Sequence, residues 1–108
     1  MSICHCLACQ RRTGSAFGLQ ARFARADTNA TGPSSRYERA GDSGGVSVFH
    51  FCAVCGTTLY WEPRALAGFV VVAVGAFADP AFPPPTISVY EERRHRWLPL
   101  PAAIEHLE

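Results

Sequence analysis

The stretch Val46–Trp61, Val-Ser-Val-Phe-His-Phe-Cys-Ala-Val-Cys-Gly-Thr-Thr-Leu-Tyr-Trp, sets two strand-like runs on either side of a Cys-x-x-Cys-Gly turn. Val46 to Phe51 reads as a strand rich in aromatic and β-branched residues. In the second run Leu59 and Trp61 project to one side and Tyr60 to the other, the alternation of a pleated strand. Between them, Cys52 and Cys55 place two sulfurs on one side of a tight turn, as a tetrahedral Zn²⁺ requires. Gly56 lets the backbone turn beneath the metal and aim its N–H groups at the thiolates.

The same pattern extends outward. Tyr37–Arg39 is expected to pair with Val46–Phe51 across Asp42-Ser43-Gly44-Gly45, whose glycines suit a tight hairpin. Upstream, Phe17, Leu19, Ala21 and Phe23 share one face of a half-buried strand. Downstream, Phe69–Val74 is apolar on both faces and reads as the central, covered strand. Asp79–Pro85 is a proline-stiffened loop. Ile87–Tyr90 and Arg94–Leu98 are expected to form a last hairpin around Glu91-Glu92-Arg93, before a short helix-like segment that starts near Pro101. With nine glycines and eight prolines in 108 residues, long helices are excluded. The expected fold is mostly β, in a single domain over residues 1–108.

Composition narrows the function. A chain that is 48% apolar and 18% charged is neither disordered nor built for lipid. Ten Arg, with no Lys, balance nine acids and are scattered, so no nucleic-acid or membrane partner is expected. The longest apolar run, Leu66–Ala78, is shorter than the ~20 residues of a bilayer-spanning helix, and a cytoplasmic location is expected.

All five cysteines fall in two clusters, Cys4-His5-Cys6-Leu7-Ala8-Cys9 and Cys52-Ala53-Val54-Cys55. An odd count, and the strain of a ring closed between Cys4 and Cys6, argue for metal over disulfides. Two geometries are open. Cys6, Cys9, Cys52 and Cys55 would make a closed structural ribbon; Cys4, Cys6 and Cys9 alone would leave a fourth position open, as catalytic zinc sites do. His5 and His50, beside cysteines in extended runs, point to the opposite face and are not expected as ligands.

The run Cys4-His5-Cys6-Leu7-Ala8-Cys9-Gln10-Arg11-Arg12-Thr13-Gly14-Ser15-Ala16-Phe17 closely resembles the central motif of the glutathione-dependent formaldehyde-activating enzyme family, which includes the centromere protein V group. Phe51-Cys52-Ala53-Val54-Cys55-Gly56-Thr57-Thr58-Leu59 resembles its second cysteine motif, Val74-Gly75-Ala76-Phe77-Ala78-Asp79-Pro80 its glycine-to-Asp-Pro segment, and Trp97 its late tryptophan. The resemblance implies a β-rich fold of small antiparallel sheets around zinc-binding cysteine turns, with an exchangeable catalytic zinc at Cys4, Cys6 and Cys9 and a structural zinc at Cys52 and Cys55. Family members carry a further Cys-x-Cys pair upstream that completes the structural site; this sequence is expected to lack that segment.

The implied activity is that of a carbon–sulfur lyase, adding glutathione to formaldehyde or a related small aldehyde. A thiol adds only as its thiolate, which is scarce at neutral pH without a metal. Arg11 and Arg12 are the expected binders of glutathione carboxylates, since a guanidinium grips a carboxylate at two points. The alternative is a non-catalytic zinc module that mediates a protein interaction.

Overall fold

The structure is a computed structural model that describes residues 1–41 and 44–107. It divides into two compact units, Met1–Gln20 with Asp79–Glu108, and Ala21–Ala78. The chain is mostly β: eight strands, paired both antiparallel and parallel, and one short α-helix among the described residues.

The second unit is built on β3 (Ser35–Ala40), β4 (Val46–Phe51), β5 (Thr58–Pro63) and β6 (Phe69–Ala73). They pair antiparallel in chain order, with Tyr37 opposite Phe49, Phe49 opposite Trp61 and Trp61 opposite Val71. Because side chains alternate, this register stacks Phe49, Trp61 and Val71 in one row on one face, where Ala73 joins them in a buried cluster. The Phe49 and Trp61 rings lie 5.0 Å apart and nearly parallel, and the Arg39 guanidinium covers Phe49 at 4.4 Å. On the opposite face His50, Tyr60 and Val72 form a second row, with the His50 and Tyr60 rings stacked at 4.3 Å. Val70 and Val71 are both buried, so β6 is covered on both faces as its apolar run suggests.

At the β3–β4 connection, Gly41 N–H donates to Gly45 O at 2.7 Å and Gly44 takes φ +85°. Asp42 and Ser43, the centre of the expected hairpin turn, lie outside the described residues.

In the first unit β1 (Ser2–Cys4) lies between the start of β2 (Gly18–Ala24), antiparallel, and β7 (Ile87–Val89), parallel. The expected strand at Phe17–Phe23 is thus present, displaced by one residue. The last hairpin is not formed. Tyr90 turns to φ +56°, Glu91–Arg93 makes a single 3-10 turn, and Arg94–Leu98 has no strand partner; the Arg94 guanidinium instead donates to Leu98 O at 2.6 Å. Nor does a helix follow Pro101. The C-terminal residues Glu105–Leu107 form β8, parallel to β7. The open edge of β7 offers this segment a ladder of backbone hydrogen bonds.

The helix α1 (Leu7–Thr13) is an addition to the β pattern. It begins where Cys6 Sγ accepts the Cys9 N–H at 3.4 Å, and it ends at Gly14, whose φ of +65° lets its N–H close on Gln10 O.

Two outcomes test this architecture. Trp61→Ala removes the largest ring of the buried cluster and is expected to lower unfolding free energy by about 3–5 kcal/mol in a denaturant titration. On the other face Glu62 bonds Arg25 and, at 2.6 Å, His50 Nε2. Arg25 above all, with His50 in support, holds the Glu62 carboxyl below its ordinary value against the opposing effect of burial. A depressed carboxyl stabilises the fold above its unfolded pKa and loses that contribution as pH falls through the folded value. Glu62→Gln should therefore be less stable than the parent at pH 7, with the difference closing below about pH 4 in a series of thermal melts.

Candidate metal centre

Three cysteines meet in the first unit. Cys4 ends β1, Cys6 caps α1 and Cys9 sits in its first turn, so a strand end and a helix start bring the spacing Cys-x-Cys-x-x-Cys to one point. Their sulfurs all lie within 4.8 Å of one another, and the residues are 4%, 7% and 4% exposed. A tetrahedral metal with ~2.3 Å bonds to sulfur holds neighbouring sulfurs about 3.8 Å apart, so the cluster closes on such an ion with small inward shifts.

The protonation of the cluster points the same way. Hydrogen bonding with Cys6 and then Cys9, with burial in addition, pushes the Cys4 thiol far above its ordinary value. At Cys9 the bond to Cys4 pulls downward, but Cys6 and burial prevail and the net shift is upward. Three buried sulfurs cannot ionise together without a cation among them. Soft thiolate donors in this number select zinc, copper(I) or iron–sulfur chemistry over hard cations. The residues fit a metal.

What surrounds the cluster holds it in shape. His5, fully buried between two of the cysteines, turns its imidazole to β7, where Nε2 lies 3.0 Å from Ser88 Oγ; its own N–H donates to Val89 O at 3.1 Å. Gln10 on α1 donates from Nε2 to His5 O at 2.8 Å and to Arg93 O at 3.0 Å, while its Oε1 lies 2.9 Å from His95 Nε2. One amide thereby pins the cysteine turn to the chain that follows β7. Sequence reasoning missed Gln10 and Ser88, because their roles come from pairing across more than eighty residues and from no local pattern.

The two arginines separate. Arg11 is exposed, whereas Arg12 is half-buried and its charge acts on Cys9. A Cβ built on Gly18 would meet Arg12 Nη2 at 3.0 Å, Cys9 Cβ at 3.3 Å and Cys9 Sγ at 3.6 Å, so Gly18 is the gap into which both side chains fold.

Cys52 and Cys55 form a knuckle of their own in the second unit. Gly56, at φ +78°, donates to Cys52 O at 2.7 Å, and Cys52 N–H donates to Thr57 O at 2.8 Å. Cys55 is exposed with Sγ 3.1 Å from the Thr57 hydroxyl, and that hydroxyl, the Thr57 N–H and Cys52 lower its pKa. His50 and Trp97 stand apart from thiol chemistry. His50 is engaged by Glu62 and by Ser34 Oγ, 3.3 Å from Nδ1, and Trp97 is 69% exposed with its ring edge against His95.

The family model for the glutathione-dependent formaldehyde-activating enzyme matches residues 1–93, across both cysteine motifs. The chain belongs to the glutathione-dependent formaldehyde-activating enzyme family. A search of curated proteins returns no match. The matched stretch of the formaldehyde-activating family includes the three clustered residues, Cys4, Cys6 and Cys9. No helix among the described residues is long and apolar enough to cross a membrane.

Gly18→Ala tests the packing of this three-cysteine cluster. The added methyl presses on Cys9, and the variant is expected to lose about 1–3 kcal/mol of stability and to hold metal more weakly. Thermal melts of loaded and stripped protein separate the two effects: the loss should be larger in the loaded form.

Proposed function

We propose that this chain is a zinc-dependent carbon–sulfur lyase of cytoplasmic location, one zinc-binding domain over residues 1–108 that joins glutathione to formaldehyde or a related small aldehyde. The observation that carries the reading is the buried trio of thiols at Cys4, Cys6 and Cys9 in a chain of this family. In the reaction the glutathione sulfur bonds to the carbonyl carbon, the carbonyl π pair moves to oxygen, and the proton lost from sulfur is balanced by one gained on oxygen. The product is S-hydroxymethylglutathione.

Cys4, Cys6 and Cys9 would hold the zinc, which when bound lowers the pKa of a substrate thiol so that sulfur is nucleophilic at neutral pH. The Cys9 N–H bonded to Cys6 Sγ supports the negative charge that three thiolates concentrate. The Arg12 guanidinium, folded over Gly18 beside Cys9, adds positive potential at the same place. Arg11, exposed one residue earlier, is available to a glutathione carboxylate. The hydrogen bonds of His5 and Gln10 fix the cysteine turn, so little reorganisation accompanies substrate entry. Cys52 and Cys55 would supply two ligands to a structural zinc, the Gly56 turn holding their knuckle.

Cys4→Ser tests the assignment. The expected variant folds as the parent does, holds zinc at least about 100-fold more weakly at this centre, and loses glutathione binding by calorimetry. A variant that keeps zinc and parental glutathione affinity would leave the non-catalytic module as the better reading.

A further inference from the structure

The second unit carries a cleft of about 580 Å³, on the face of β5 and β6 turned away from the Phe49–Trp61 cluster. Every residue lining it falls between Arg25 and Phe77, so the cleft belongs wholly to this unit and shares no residue with the three-cysteine centre. Clefts of this volume are in the range that encloses small organic molecules.

The lining sets Val70, Val72 and Phe77 beside Arg25, Tyr60 and Glu62. Thr28, Asn29 and Thr31 add side chains that both donate and accept. Glu62 has both carboxylate oxygens engaged, Oε2 by the Arg25 guanidinium and Oε1 by His50 Nε2 at 2.6 Å. Arg25, by contrast, commits one guanidinium nitrogen to Glu62, and a guanidinium has five N–H donors. Its backbone is held as well, the Arg25 N–H donating to Gly68 O at 2.7 Å, so the group is oriented before any ligand arrives. Tyr60, stacked on His50, brings a phenol to the same lining. The cleft therefore offers donors to a headgroup that accepts hydrogen bonds, next to valine and phenylalanine surface that suits hydrocarbon.

We infer that this cleft is a binding site for an apolar monocarboxylate, an aliphatic or aromatic acid whose carboxylate meets Arg25 and Tyr60 and whose hydrocarbon body lies on Val70, Val72 and Phe77. A headgroup that only donates, such as an ammonium, meets the positive charge of Arg25 and a Glu62 carboxylate each of whose oxygens already accepts a bond. Glutathione, with two carboxylates, an ammonium and two peptide bonds, has no hydrocarbon body to lay on that wall. The site does not depend on the reaction proposed above.

The test titrates sodium octanoate into the full metal-loaded chain and follows backbone amide shifts by NMR, with octylammonium chloride, 1-octanol and reduced glutathione as parallel titrants. Octanoate is expected to saturate at one per chain, with shifts centred on Arg25, Tyr60 and Val72, and to bind at least about tenfold more tightly than octylammonium or octanol. Arg25→Gln, at a half-exposed side chain, should raise the octanoate dissociation constant about tenfold, and Val72→Phe should weaken binding several-fold by crowding the hydrocarbon wall. Octylammonium binding as tightly as octanoate, an unchanged constant in Arg25→Gln, glutathione displacing octanoate from the same amides, or no saturable binding in the parent would each overturn the assignment. Should Val72→Phe fail to fold, the headgroup series on the parent and Arg25→Gln decide it alone.

Discussion

Three sulfurs packed within 4.8 Å of one another, with almost no exposure to water, repel one another as soon as more than one is ionised. The first unit is arranged around that constraint. A strand end, a half-turn and a helix start gather residues 4, 6 and 9. The Cys9 N–H points at Cys6 Sγ, Arg12 folds over Gly18 toward Cys9, and His5 is turned away to Ser88, leaving the cysteine side of the turn to sulfur. A cation among the sulfurs resolves that repulsion, and the family match spans all three cysteines.

The second unit shows how one register serves two purposes. The pairing that stacks Phe49, Trp61 and Val71 on one face necessarily aligns His50, Tyr60 and Val72 on the other. The first row is dry and aromatic; the second leads into Glu62, Arg25 and the cleft. A one-residue slip would exchange the faces and bury Glu62 where Trp61 belongs.

Much of this was legible in the residues. Alternation located β4 and β5, and the β-branched run located β6, because each is a local period that a packed sheet preserves. The cysteine spacing located the sulfur cluster for the same reason: Cys4, Cys6 and Cys9 converge through links only a few residues long. The errors lie where structure depends on distance along the chain. Arg94–Leu98 has strand-like residues, yet the left-handed turn at Tyr90 carries it away from β7, and the vacant ladder position goes to Glu105–Leu107. The helix α1 was hidden because its cap is a cysteine sulfur, which the usual Ser, Thr, Asp and Asn signals do not include. Gln10 and Ser88 were invisible for the reason given by their partners, Arg93 and His5, which lie 83 residues away from them.

The parallel pairing of β1 with β7 sets the order of events during synthesis. Ile3 waits for Ser88, and at roughly 5–20 residues per second the ribosome takes about 4–17 s to deliver it. For that interval Cys4, Cys6 and Cys9 have emerged without the strand that orients His5, while the whole of Ala21–Ala78 is translated and its antiparallel strands can zip in chain order. The nascent thiols therefore spend seconds exposed to solvent before they are buried, and they meet whatever metal or oxidant the surrounding medium holds during that time.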